Sequence, residues 1–276
     1  MNVPRQKRMA IINDITGFGR CSVAVALPII SAMKIQCCPM PTAILSAHTG
    51  FSKFFLDDYT MRMREYMLNW EELGIEFDGI CTGFLGSAKQ IDIVIEFLEK
   101  FTSNYTTIIV DPVMGDYGKL YSSYTQEMCH EMKRLLNYAH VLTPNLTEAC
   151  RLLDIPYPNR VLTAQELEHI AQSLCAYGPR KIVITGLSDE NNMRNFVYEQ
   201  GKPYRIISVP KIGEDRSGTG DVFVSIVAAN LVNGIDFAVA VEKAANFISK
   251  TIAYTVKQNI PLQYGICFEE YLTDLK

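Results

Sequence analysis

No apolar run in the chain is long enough to span a bilayer, so no membrane helix is expected. No block of lysine or arginine occurs, and the formal net charge over 276 residues is −4. Nucleic-acid binding needs a clustered cationic footprint, which excludes that partner class. The eight cysteines (21, 37, 38, 81, 129, 150, 175, 267) include no C-x-x-C pair and lie mostly in apolar segments. They read as reduced core residues of a cytoplasmic protein. Cys37 and Cys38, in extended chain, should point to opposite faces. The basic opening "MNVPRQKRMAIIND" has no adequate apolar stretch, so no signal peptide is expected. There is no G-x-x-x-x-G-K-[ST], and "GFGRCS" puts Ser22 where a dinucleotide fingerprint needs its third glycine. A P-loop enzyme and a nucleotide-dependent dehydrogenase are both disfavoured. With no internal repeat, low-complexity tract or linker, residues 1–276 read as one domain.

What is present is an alternation of short apolar runs with longer helical patterns. Strands are predicted at 8–14, 77–86 and 106–111, a short one opens 140–153, and another lies at 181–186. "CCPMPTAIL" (37–45) should be an edge or irregular strand because of its two prolines. Helices are predicted at 20–34, with Pro28 bending or restarting it, and at 56–70. Ser87 with Gln90, Asn145 with Glu148, and Thr163 with Glu166 have capping-box spacing and mark three helix starts. "RNFVYE" and "YRIISVP" form a hairpin around "QGKP", and two helices follow at 218–233 and about 236–256. This pattern is α/β: a mostly parallel central sheet with helices on both faces and an antiparallel edge hairpin. Ligands on such sheets gather at the C-terminal ends of strands. The polar, glycine-rich stretches 13–20, 46–52, 82–87, 111–121 and 143–148 fall there, and the loops 46–55 and 115–125 could form a lid.

"DRSGTGDVF" (215–223) looks like a phosphate cradle with an acid in its mouth. The amides of Gly218, Thr219 and Gly220, at a helix start, suit an anion. Asp221 would weaken phosphate binding, yet it would stand where an attacking hydroxyl approaches and could take its proton. The alternative is that Asp221 only complements the helix dipole. Phosphoryl transfer needs a metal held by carboxylate oxygens, and Asp111, Asp116 and Glu148 are the candidates. Each also has a plain role as a turn or cap, Glu148 above all as the reciprocal acid of Asn145. "SAHTGF" (46–51) offers His48 as a substrate contact or a structural residue.

These segments resemble a known family. "DRSGTGDVF" is similar to the C-terminal signature of the ribokinase-like superfamily. "LSAHTGF", "TGFLGS", "DPVMGD" and "TPNLTEA" resemble, in order, segments of pyridoxal and pyridoxamine kinases, from residue 10 to about 225. "DPVMGD" and "TPN-x-x-E" are shared with hydroxymethylpyrimidine kinases. The resemblance implies a ribokinase-like three-layer sandwich and ATP-dependent phosphorylation of the 5′-hydroxymethyl group of a vitamin B6 vitamer. It implies Asp221 as catalytic base and Gly218, Thr219 and Gly220 as anion hole. It places Asp116 and Glu148 around magnesium and any monovalent ion, with K+ a candidate. It implies Asp111, Thr143, Asn145, Thr185 and Gly186 along the ATP phosphates, and His48, Thr49, Phe84 and Tyr121 about the substrate. A cytoplasmic homodimer is also implied. Two departures stand out. Asp14, in "INDI", replaces the serine that better-known members place near the pyridine nitrogen. "GFGR" also differs, and the segment from Asp116 to Tyr121 is shorter. A carboxylate beside a ring nitrogen favours the protonated ring, so Asp14 either pairs with such an N–H or caps the next turn. The rival readings are a hydroxymethylpyrimidine kinase and a non-catalytic binding protein.

Overall fold

The computed structural model describes residues 5–122 and 124–276. The first four residues, part of the basic opening, and Ser123, part of the 115–125 loop, lie outside them. The chain opens with β1 (Arg8–Thr16), α1 (Ser22–Ala32), β2 (Gln36–Leu45), β3 (Leu56–Asp58), α2 (Thr60–Glu72), β4 (Gly79–Thr82), α3 (Ala88–Phe101) and β5 (Thr107–Val110). A small hairpin, β6 (Gly115–Asp116) with β7 (Lys119–Leu120), precedes α4 (Gln126–Met132), β8 (Val141–Leu142), α5 (Leu146–Leu152) and α6 (Ala164–Cys175). Three long strands follow, β9 (Lys181–Ser188), β10 (Asn192–Glu199) and β11 (Arg205–Pro210), then α7 (Thr219–Val232) and α8 (Phe237–Lys257).

The large sheet runs β11-β10-β9-β8-β5-β4-β1-β2-β3. The six strands from β9 to β2 in that order pair in parallel, and β10, β11 and β3 are antiparallel additions. The α/β expectation and the edge hairpin are therefore borne out. β1 has β2 on one side and β4 on the other, so chain order reverses direction there. That switch point opens a crevice at the strands' C-terminal ends.

Alternation along the strands builds a core on each face. Ala10 and Ile12 of β1 pack with α2, α3, α5 and α6 on one side, while Met9 and Ile11 pack with α1, α7 and α8 on the other. Cys37 and Cys38 do divide between these two cores. α7 is apolar nearly all round because it is wedged between the sheet, α1 and α8.

Four local expectations change. Pro28 lies inside one continuous α1 rather than restarting it. The carbonyl it orphans belongs to Ala24, which is exposed, so water can satisfy it. β2 is an edge strand only over 36–42, since β3 covers its last three residues, Ala43–Leu45, and its register against β1 shifts between Asn13 and Ile15, the irregularity expected. Pro39 and Pro41 fall in the part β3 leaves uncovered, where a missing N–H is tolerated. The helix expected at 56–70 begins only at Thr60, because the Asp58 carboxylate takes the Thr60 N–H at 2.7 Å and its hydroxyl, ending β3 in a turn. Ser87 caps α3, but Gln90 does not return the bond. Its amide instead ties Gly86, Thr42 and Thr60 together.

Candidate active site

Every candidate site residue named from the sequence lines one cavity of about 580 Å³ over the strand ends. Its floor is the start of α7. Gly218, before the first helical residue, has φ 74°, and a Cβ there would sit 1.6 Å from the Arg20 carbonyl oxygen. Only glycine fits both constraints. The Thr219 hydroxyl donates to the Arg216 carbonyl at 2.9 Å, bracing the turn. Among the described residues the Gly218 and Gly220 amides have no protein acceptor, so they are open to an anion.

Asp221 faces the same space. Burial pushes its carboxyl up to about 6, and the neighbouring Asp14 adds to the rise. A backbone N–H of Ser22 and the Asn13 amide, whose Nδ2 lies 3.3 Å from Oδ1, oppose it. Asp111 accepts the Thr143 hydroxyl at 2.8 Å. Its carboxyl is nevertheless raised, by burial first and then by the charge of Asp221. Burial, with Asp215 nearby, lifts Asp116 to about 6. Glu148 is raised well above the carboxylate range by burial and by Asp111. Crowded acids of this kind are costly when charged and form an oxygen-only donor set, which suits a hard divalent cation.

Glu148 is, however, first a cap. Its Oε2 accepts the Asn145 N–H at 2.8 Å and its Oε1 the Met114 N–H at 3.1 Å, while the Asn145 side chain accepts the Glu148 N–H at 2.9 Å. One site on each oxygen is thereby taken by backbone. Asn145 also donates to the Gly115 carbonyl at 2.8 Å and bridges to Thr185, which holds the 111–121 loop against β9.

Asp14 is 5% exposed, with Ser22 Oγ at 2.6 Å on one oxygen and Thr16 Oγ1 at 2.7 Å on the other. It holds the following turn, which is the capping reading, and it also lines the cavity. His48 lines the cavity but spends both ring nitrogens on backbone. Nδ1 accepts the Gly50 N–H at 3.1 Å, so Nε2 carries the proton and donates to the Gln263 carbonyl at 2.7 Å. These bonds are the structural role that the sequence left open for it: His48 organises the 46–51 loop while its ring borders the cavity. Its ring also joins a cluster with Phe18, Phe51 and Tyr264. Thr49, Phe84 and Tyr121 border the cavity as expected.

A model of the phosphomethylpyrimidine kinase family matches residues 29–263. The chain belongs to that family. It has the ribokinase-like fold of the pyridoxal kinases. It superposes with TM-score 0.95 and 37% identity on a Bacteroides thetaiotaomicron crystal structure obtained with pyridoxal and described provisionally as a phosphomethylpyrimidine kinase, covering 98% of this chain and 96% of that one. Pyridoxal kinase from Lactobacillus plantarum follows at 26% identity and TM-score 0.90, covering 98% and 96%. Among curated relatives, an Arabidopsis thaliana thiamine biosynthetic bifunctional enzyme is 28% identical over 83% of this chain, and Arabidopsis thaliana pyridoxal kinase 29% over 68%. The matches span only 43% and 62% of those two proteins' lengths.

Sequence reasoning missed several cavity residues. Asn13 is the most consequential: it falls in the ligand-facing stretch 13–20, but no chemistry was read from its amide. Ile212, Val224, Ala245, Ile248 and Ile252 form an apolar wall toward β11, contributed by segments that no phosphate or acid motif marks. Cys21 also lines the cavity, but burial beside Asp221 and Asp14 pushes its thiol up to about 12, so it is unreactive as a nucleophile.

Proposed function

We propose that this kinase transfers the terminal phosphoryl group of ATP to the hydroxymethyl group of a B6 vitamer: pyridoxal, pyridoxamine or pyridoxine. One observation carries the reading. Asp221 and the open amides of Gly218 and Gly220 share a cavity with a fixed, buried carboxylate, Asp14, beside Thr49 and Phe84. The 37%-identical relative crystallised with pyridoxal supports the ring type.

In this reading the hydroxyl oxygen attacks phosphorus while its proton passes to Asp221, and the bond to the departing diphosphate breaks. The amides of Gly218, Thr219 and Gly220 stabilise the charge on the transferring group. Asp111, Thr143, Asn145, Thr185 and Gly186 border the nucleotide's phosphates, and the apolar wall toward β11 receives its base. Asp14 faces the substrate ring's N–H. Magnesium, when bound, neutralises phosphate charge. Asp116 is the carboxylate best placed to hold it, with Glu148 adding charge from its capped position. Among the described residues no three His, Cys, Asp or Glu converge as a finished cage. Water and phosphate oxygens would therefore complete the shell, as is usual for this ion. A cytoplasmic homodimer and a dependence on K+ belong to the same reading.

The family match favours a second substrate, hydroxymethylpyrimidine. A coupled ADP-release assay over the three vitamers and hydroxymethylpyrimidine decides. The expected result is a higher kcat/KM for a B6 vitamer, reduced about 10²–10⁴-fold in Asp221→Asn. A preference for hydroxymethylpyrimidine establishes the second reading, and no turnover with any of the four leaves a binding protein. Asp14→Ser should lower kcat/KM for the preferred ring; values unchanged from the unsubstituted protein for all four compounds would remove Asp14 from substrate recognition.

A further inference from the structure

Asn13 sits one residue before Asp14 at the end of β1 and is 6% exposed. Its side-chain oxygen accepts two backbone N–H groups, those of Asp14 and Phe84, each at 2.9 Å. A carboxamide nitrogen cannot accept, so these bonds fix which end of the amide is which. The nitrogen is thereby turned toward Asp221, with Nδ2 3.3 Å from Oδ1. Two features of the backbone make room for this arrangement. The register of β1 against β2 shifts between Asn13 and Ile15. Residue 83 is glycine, and a Cβ there would lie 2.5 Å from the amide carbon and nitrogen.

The titratable groups around Asp221 are Asp14 from β1, Cys21 ahead of α1, Cys81 from β4, Asp111 after β5 and Tyr121 after β7. None is a cation. The two acids repel a charge on Asp221, so hydrogen-bond donors are what favour its ionised form. Asn13 is the side chain that supplies one.

We propose that Asn13 is a positioning residue for the base: together with the Ser22 backbone N–H, its amide holds the Asp221 carboxylate in one orientation and in its charged form. This rests on Asp221 being the base.

Asn13→Asp keeps the acceptor and exchanges the donor for a like charge, so it is read beside Asn13→Ser, which removes the donor without adding charge. The new carboxylate can still accept both backbone N–H groups, and only the bond to Asp221 is lost, replaced by like charge. The expected result is a fall in kcat of about tenfold or more at neutral pH, with both KM values within about twofold. The acid limb of kcat should move up by about one pH unit or more. A 13C titration of the Asp221 carboxyl without substrate should show the same shift. If Asn13→Asp does not fold, Asn13→Ser serves alone, since its hydroxyl is too short to reach Asp221. A purely structural role predicts a lower Tm with kcat, acid limb and carboxyl titration unchanged, and that outcome overturns the proposal. Turnover surviving in Asp221→Asn is a separate failure, of the base assignment.

Discussion

Asp221 is a residue whose chemistry and stability pull in opposite directions. Its carboxyl is raised to about 6 in the folded chain against 3.8 for the free side chain, chiefly by burial. The folded state therefore binds the proton more tightly than the unfolded chain, and the charge that the proposed base role needs destabilises the fold at neutral pH. That penalty is full above about pH 6 and fades as pH falls toward 4. In metal-free protein, Asp221→Asn should raise stability at pH 8 by about 1–3 kcal/mol, discounted because the group faces a cavity. The gain should shrink as pH drops through 6. Denaturant unfolding at pH 8 and pH 5 checks this; a destabilised variant at pH 8 would refute the pKa assignment. Asp221 was legible because its neighbours in the chain form the turn that explains it. Asn13 was not, since its partners Phe84 and Asp221 lie 71 and 208 positions away.

At the level of elements, the start of α7 contains two glycines with different reasons to be there. Gly218 needs its positive φ and has no room for a methyl group against Arg20. Gly220 has ordinary helical geometry, and a Cβ there would meet nothing within 4 Å. Gly218→Ala should cost about 2–4 kcal/mol and pull the amides out of line. Gly220→Ala should leave Tm unchanged or raise stability by about 0.4–1 kcal/mol, while raising KM for ATP where a phosphate would pass. Thermal melts paired with ATP kinetics separate the two; equal loss of stability would contradict this division. The sequence marked this turn correctly but misjudged elements whose limits depend on neighbours. β2 loses its edge only at Ala43–Leu45, where a three-residue strand docks, and α2 starts late because Asp58 turns back on Thr60. Neither event leaves a periodic trace in the chain.

For the whole molecule, the reversal of chain order at β1 gathers loops from both halves of the sheet into one cavity. Asp111, Asp116, Glu148 and Asp221 all border it, so a nucleotide's phosphates meet concentrated negative charge. ADP alone should therefore raise Tm little. ADP with magnesium at about 100 times its Kd should stabilise by about 2.7 kcal/mol, several degrees for a chain of this size. Differential scanning fluorimetry with and without EDTA checks it. An equal shift in both conditions would show that the acids play no part in nucleotide binding.

The order of elements, the layered α/β class, the anion turn and the acid within it were determined by the sequence itself, because each rests on periodicity or on residues a few positions apart. Tertiary structure alone decided that His48 braces a loop, that Glu148 is engaged by two backbone amides, and that Asn13 reaches Asp221. Those outcomes depend on which distant backbone groups arrive unpaired beside a polar side chain, and only the packed sheet brings them there.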